Sequence, residues 1–181
     1  MNEHKKYLFS LLFILFLVLS FFFIDSHLET VMSEQVASEN NQFTVVIDAG
    51  HGGFDSGKVG IDGSLEKNIN LLISKKLQNL LEASDIHVVM TRTEDIGLYK
   101  EDSSNKKRQD MQNRAALMNK ATPDCIVSIH QNSYTEESID GAQVFYYTSS
   151  HTGKTLASLI QQSLIKRADP SNHRVEKSNS S

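Results

Sequence analysis

Short apolar runs alternate along the chain with longer stretches in which apolar residues recur at helical spacing. The runs that predict strands cover residues 43–48, 86–92, 125–130 and 141–148. Helical spacing covers residues 65–81, 105–120 and 152–166. Because strands and helices alternate, the pattern predicts a single α/β domain with a mostly parallel or mixed central sheet flanked by helices.

The stretch from residue 65 to residue 81 has a clear helical pattern. Its apolar positions are Leu65, Ile69, Leu72, Ile73, Leu77, Leu80 and Leu81, which predict one apolar face. Ser64 is the predicted N-cap. Glu66 lies just off the apolar face near the positive end of the helix, where its carboxylate can turn toward the strand ends. The alternative for Glu66 is a capping acid in solvent.

A different pattern precedes the domain. Residues 8–24 are apolar apart from Ser10 and Ser20, and Lys5 and Lys6 come before them. This arrangement predicts a signal peptide or a signal-anchor transmembrane segment over residues 1–24. Residues 25–42 are polar and acidic, and they predict a tether. The domain at residues 43–181 is therefore expected outside the cytoplasm, either secreted or anchored to the membrane.

Composition narrows the classes of function. The chain has 181 residues, one cysteine and a formal net charge of -4. Because its lysines are dispersed and the net charge is negative, a nucleic-acid partner is not expected. Cys125 lies in an apolar run and is predicted to be a small buried side chain. Arg108 and Arg114 are predicted to form ion pairs at the surface.

Two histidines lie at the ends of predicted strands. His51 follows the strand at residues 43–48 within a glycine-rich turn, and His130 ends the run at residues 125–130. In open α/β sheets, ligands bind where parallel strands end. With Glu66, the pair makes a candidate site of two imidazoles and one carboxylate. Such a set suits Zn²⁺ and leaves a fourth tetrahedral position for water, so it predicts a zinc hydrolase.

The remaining polar candidates receive ordinary interpretations. Five histidines are predicted to be unremarkable polar residues: His4, His27, His87, His151 and His173. Asp48, at the end of the first predicted strand, is either a hydrogen-bond partner of a ligating imidazole or a turn-forming residue.

Four separated motifs resemble those of the zinc-dependent N-acetylmuramoyl-L-alanine amidases of the family 3 type. The motifs are DAGHGG at residues 48–53, LEK at 65–67, TR at 91–92 and SIHQN at 128–132. The resemblance runs in order from residue 43 to about residue 177. A predicted membrane segment followed by this domain, without a recognisable wall-binding repeat, looks most like the sporulation and germination amidases of endospore-forming bacteria.

The resemblance implies a peptidoglycan hydrolase that cleaves the amide between N-acetylmuramic acid and the L-alanine of the stem peptide, in the spore cortex or in wall remodelling. It assigns His51, Glu66 and His130 as the Zn²⁺ ligands. Zinc can polarise the amide carbonyl and lower the pKa of its bound water to about 7. Amidases of this kind are often controlled by partner proteins, so an activating partner is also expected.

The chain departs from the family pattern in its last segment. The family has a catalytic glutamate in a late strand, in a motif resembling VExGFxSN, and these 181 residues contain no such motif. Glu176 belongs to a different motif, in a predicted polar tail without a strand to bring it beside the metal. The expectation is a domain that lacks its last strands and terminal helix, with the catalytic glutamate beyond Ser181.

Several alternatives stay open on the sequence. The chain is either a shortened gene product or a naturally truncated, catalytically weak or inactive module that binds zinc or cell wall. With the proton-transferring glutamate absent, residues 43–181 are expected to bind one zinc weakly and to show little amidase activity. A zinc peptidase of the carboxypeptidase type has a similar ligand set, but its first two ligands lie only a few residues apart, whereas His51 and Glu66 are 15 apart. A structural protein without a site is the remaining alternative.

Overall fold

The computed structural model describes Ser20, residues 42–133, Glu136 and residues 139–180. The predicted signal or anchor segment and the tether lie outside these residues, apart from Ser20 and Gln42. Among the described residues, no helix has the length and apolar character that crossing a membrane requires.

Contacts along the chain divide it into two units, Met1–Gln131 and Asn132–Ser181, and each is described by itself. The elements of the first unit are β1 (Thr44–Ala49), α1 (Glu66–Glu82), β2 (His87–Met90), α2 (Lys106–Lys120) and β3 (Cys125–Ile129). The three strands form a parallel sheet in the order β2-β1-β3. The α/β class and the parallel sheet are therefore confirmed, with boundaries within two residues of those that the sequence predicts.

Strand β1 is the centre of this unit. Val46 and Ile47 are fully buried, because β1 has a neighbouring strand on each side and helix α1 packs against it. Its last residue, Ala49, pairs with Ile129, the last residue of β3. The chain segments that follow the two strands therefore leave the sheet side by side, at its carboxyl edge.

Helix α1 differs from the prediction in the side that it buries. The helix begins after Leu65, which has no side-chain capping bond, so Ser64 is not its N-cap. The fully or almost fully buried positions are polar, namely Glu66, Asn70 and Ser74, whereas Leu72, Ile73 and Leu80 are exposed. The polar stripe tolerates burial because Glu66 and Asn70 are hydrogen-bonded at the sheet edge. The apolar spacing thus predicts the helix but not its inner face.

The second unit contains β4 (Phe145–Tyr147), α3 (His151–Arg167) and β5 (Lys177–Asn179). β4 and β5 pair in parallel, and the Ser150 hydroxyl caps α3 by accepting a hydrogen bond from Gly153 N at 2.9 Å. The prediction of a strandless polar tail after Glu176 is wrong, since β5 begins at the next residue. Its residues are all exposed and carry no apolar alternation, so the sequence offered no strand pattern there.

Candidate metal centre

The structure brings the three predicted ligands together at the carboxyl edge of the sheet. Glu66 Oε1 lies 3.1 Å from His51 Nε2 and 3.2 Å from His130 Nδ1. One ligand atom from each of the three residues lies within 4.8 Å of the others. The two histidines come from the neighbouring ends of β1 and β3, and the glutamate comes from the first turn of α1.

The geometry and the donor chemistry both fit a zinc ion. Ligand atoms around a tetrahedral Zn²⁺ with bonds of about 2.0–2.1 Å are about 3.3 Å apart, close to the two distances from Glu66 Oε1. His51 Nδ1 is 3.0 Å from Asp55 Oδ2, and donating to that carboxylate leaves a lone pair on Nε2 of the neutral ring. Two acceptors 3.1 Å apart repel unless a metal ion lies between them or the ring is protonated.

Asp55 is the partner that orients His51. Its Oδ2 is hydrogen-bonded to His51 Nδ1, and its Oδ1 accepts a hydrogen bond from Gly57 N at 3.1 Å. A carboxylate in this place fixes the tautomer and the orientation of a metal-binding ring. The sequence had offered Asp48 for this role, and the structure assigns it to Asp55 instead.

Glu66 is held in its ionised form by the backbone around it. Burial alone would raise its pKa, but hydrogen bonds from Lys58 N at 2.8 Å and Gln131 N at 2.9 Å contribute to a pKa below the usual value. Metal ligation requires this charged form. A Cβ atom on Gly57 would lie 2.6 Å from Glu66 Oε2, so only glycine fits this close to the carboxylate.

His130 is positioned by contact with the backbone of the other loop. Its ring lies against Gly50, where an added Cβ would come within 2.3–2.6 Å of three ring atoms. Gly50 N donates to Ile129 O at 3.0 Å, which ties this glycine to the end of β3. The His130 side chain is 47% exposed, against 19% for His51, so it is the candidate ligand with more access to solvent.

A buried ion pair lies beneath the His51 loop. Arg114 Nη1 is 2.8 Å from Asp48 Oδ1, and Arg114 Nη2 donates to His51 O at 2.6 Å. The prediction of a surface ion pair for Arg114 is wrong, because this side chain pairs with Asp48 and with Asp110 inside the unit. Burial on its own would raise the pKa of Asp48, but a hydrogen bond from Ser128 and the charge of Arg114 keep it below its usual value.

Arg92 is a second buried cation that the sequence reasoning did not assign. Its Nε donates to Ala49 O at 2.9 Å, and its Nη2 donates to Gly50 O at 3.0 Å and to Lys67 O at 2.7 Å. It therefore links the end of β1 to the first turn of α1. Its position at the end of a predicted strand, in the Thr91-Arg92 pair, could have indicated this role, since a cation there can reach the carbonyls at the end of the neighbouring strand β1.

A cavity of about 360 Å³ adjoins the candidate ligands. His51 and His130 lie on its lining, together with Lys107, Met111 and Met118 of α2. Its three acids already have partners within the described part of the chain: Asp55 bonds His51, and Asp48 and Asp110 both bond Arg114. The lining thus offers an approach to the ligands but no carboxylate without another partner.

The fold and this site define a class: an α/β protein with an open site of two histidines and a glutamate at the carboxyl edge of a parallel sheet. The sequence profile described as N-acetylmuramoyl-L-alanine amidase matches residues 45–181. The chain belongs to the N-acetylmuramoyl-L-alanine amidase family, and the resemblance found in its motifs is confirmed.

Curated relatives agree with this assignment. The chain is 30% identical over 136 residues to the germination-specific N-acetylmuramoyl-L-alanine amidase of Bacillus subtilis, covering 74% of this chain and 57% of that protein. It is 32% identical over 127 residues to the amidase AmiC of Escherichia coli, covering 70% of this chain and 28% of that protein. The chain thus spans less than two thirds of the length of these relatives.

Solved structures show the same fold. The CwlD amidase of Clostridioides difficile, solved in complex with the GerS lipoprotein, is similar with a TM-score of 0.73 and 36% identity over 76% of this chain and 73% of that one. The amidase AmiC2 of Nostoc punctiforme has a TM-score of 0.64 and 31% identity over 76% of this chain and 69% of that one.

Proposed function

We propose that this chain is a zinc-dependent peptidoglycan hydrolase that cleaves the amide between N-acetylmuramic acid and the L-alanine of the stem peptide. The observation that carries the proposal is the close grouping of His51 Nε2, Glu66 Oε1 and His130 Nδ1 at the sheet edge. Membership of the amidase family gives that site its substrate class.

His51, Glu66 and His130 are the residues that would hold the metal. Zinc bound there supplies a Lewis acid for the amide carbonyl and lowers the pKa of a bound water to about 7. Asp55 keeps the Nε2 lone pair of His51 directed into the site, and the backbone N–H groups of Lys58 and Gln131 keep Glu66 ionised. His130 lies at the exposed side, next to the cavity through which a stem peptide would reach the site.

The biological setting is part of the same proposal. Similarity to a germination-specific amidase and to CwlD supports a role in the spore cortex or in wall remodelling. The apolar segment at residues 8–24 supports export, with the domain secreted or held at the membrane. Because CwlD was solved with a lipoprotein, an activating protein partner is proposed for this chain as well.

A second candidate function is a module that binds zinc or cell wall with little or no hydrolysis. One observation favours it: among the described residues, each acid that lines the cavity already bonds His51 or Arg114. Expelling an amine from an amide needs a group that can donate a proton, and a carboxylate near the metal is the usual source.

One experiment separates these functions. The full chain, purified in detergent and supplied with zinc, is incubated with peptidoglycan sacculi, and the soluble products are analysed by mass spectrometry. The hydrolase proposal expects peptides with a free N-terminal L-alanine from the wild type and none from His51→Ala. The control is His87→Ala, because His87 is an exposed strand residue and should not affect the activity.

Other products would point elsewhere. Binding to sacculi without released peptides supports the binding module and contradicts the hydrolase. Release of single amino acids from the carboxyl end of the stem would instead support a carboxypeptidase. An unchanged zinc content in His51→Ala would refute the proposed ligand set.

A further inference from the structure

Asn70 lies one helical turn after Glu66 on α1, and its side chain is fully buried. Its Nδ2 donates to Gly50 O at 3.2 Å and makes a longer contact of 3.4 Å with Glu66 Oε1. Its Oδ1 accepts a hydrogen bond from Gln131 Nε2 at 3.2 Å. One amide therefore uses both of its N–H groups and its oxygen.

Through these three contacts, Asn70 touches Glu66 itself and the sequence neighbour of each candidate histidine. Gly50 immediately precedes His51, Gln131 immediately follows His130, and Glu66 is the third ligand itself. The contacts also form a closed ring, because Gln131 N donates to Glu66 Oε1 while Gln131 Nε2 donates to Asn70. Asn70 thus connects the two loops that follow β1 and β3 to a single rigid helix.

The chemistry of the residue matches this arrangement. Burying an amide is unfavourable unless its polar atoms are hydrogen-bonded, and here the bonds go to the ligand segments alone. Aspartate has the same size but cannot donate to Gly50 O and Glu66, and alanine makes none of the contacts. Asparagine therefore supplies the two donors and the acceptor that this position uses.

We propose that Asn70 is a positioning residue that holds His51, Glu66 and His130 in the arrangement needed to bind zinc. The proposal rests on the proposed function, because it takes these residues to be the ligands. Partners of metal ligands typically change metal affinity by about 10–100-fold when they are removed.

The test compares zinc binding by the full chain and three variants, using competition with a chromophoric chelator. Asn70→Ala is expected to bind zinc about 10–100-fold more weakly than the wild type. Asn70→Asp keeps the volume and the acceptor but loses both donors, and a loss of at least about 10-fold is expected there too. Gln131→Ala removes one contact of the ring, so its loss should be smaller than that of Asn70→Ala.

Ser74→Ala is the matched control. Ser74 lies one turn further along the same buried stripe, and its Oγ has no hydrogen-bond partner among the described residues. Its removal should leave zinc affinity unchanged, because its hydroxyl makes no hydrogen bond to the segments that carry the candidate ligands.

A second readout separates positioning from general stability. Cobalt replaces zinc in the same proteins, and its visible absorption reports the geometry of its ligands. The positioning role expects the band of Asn70→Ala to weaken or shift at saturating cobalt, while Ser74→Ala keeps the wild-type spectrum. Thermal unfolding in excess chelator records any change in stability that does not involve metal.

The outcomes are distinguishable. If the wild type and Asn70→Ala bind zinc equally and share one cobalt spectrum, the inference about Asn70 is wrong while the proposed function stands. A wild type that binds no zinc overturns both. Should Asn70→Ala fail to fold, Asn70→Asp and Gln131→Ala decide the question, and wild-type affinity in both would overturn the inference.

Discussion

The two candidate histidine ligands are supported in different ways. His51 has a left-handed backbone with φ of 60°, its ring bonds Asp55, and its carbonyl accepts a hydrogen bond from Arg114. His130 is more exposed, and its ring is placed by the flat surface of Gly50 and by Glu66. His51 is therefore held by hydrogen bonds to charged side chains, whereas His130 is held by close packing against Gly50, which has no Cβ.

The difference predicts different sensitivities for the two sides of the site. On the β1 side, loss of one partner leaves other bonds, so metal binding should weaken in steps. On the β3 side, filling the space over Gly50 displaces the whole ring. Metal binding should therefore respond most to a change that adds atoms beside His130 and less to changes that remove partners of His51.

The largest effect is expected for Gly50→Ala. The new Cβ would occupy the place of the His130 ring, which must move away from Glu66. Because that ring is partly exposed and can rotate toward solvent, folding should change little. Zinc affinity should fall by more than about 100-fold, which is the upper limit for losing a hydrogen-bond partner of a ligand. Competition with a chelator measures the affinity, and thermal unfolding measures the fold.

Gly63→Ala is the control for this substitution. Gly63 has φ of 82° and no atom within 4 Å of an added Cβ, so the change strains the backbone without filling any site. It should lower stability by about 1 kcal/mol and leave zinc affinity unaltered. Equal zinc binding by Gly50→Ala and the wild type would contradict the view that His130 depends on its packing against Gly50.

An intermediate effect is expected for Asp55→Asn. The neutral amide is a weaker acceptor for His51 Nδ1, so the ring loses part of its orientation and zinc should bind about 10-fold more weakly. The matched control is Asp62→Asn, since Asp62 lies in the same loop but bonds the nearby Ser64 instead of a candidate ligand. Isothermal titration with zinc gives both affinities, and a loss in the control as large as in Asp55→Asn would contradict this account of His51.

The smallest effect concerns acid stability beneath His51. Because the folded-state pKa of Asp48 is lowered from 3.8, its contribution to stability is complete above about pH 4 and is lost as pH falls through the folded pKa. Asp48→Asn should thus lose less unfolding free energy than the wild type as pH falls below about 4. Urea unfolding followed by circular dichroism measures it, and parallel pH curves would show that Asp48 contributes nothing.

The sheet and the position of the candidate ligands could be predicted from the sequence because they follow from local patterns. β1 and β3 are continuous apolar runs, and a parallel sheet puts the residues after them at one edge. Glu66 was predictable as a nearby acid in a first helical turn. These inferences need only residue type and spacing.

The hydrogen-bond partners of the candidate ligands could not be predicted in this way. Asp55 reaches His51 only because the loop turns through a left-handed residue, and Arg114 pairs across the fold with Asp48 from β1. Helical spacing gave no sign that Asn70 faces the sheet. The i,i+4 pair of Asp110 and Arg114 was visible in the sequence, but the same spacing is typical of surface helices.

The opposed lone pairs of His51 and Glu66 also link the lifetime of the folded chain to its surroundings. A cation that binds between them favours the folded state by mass action, by about 2.7 kcal/mol when its free concentration is 100 times its dissociation constant. Resistance to proteolysis should therefore rise with the free concentration of the metal that the site binds.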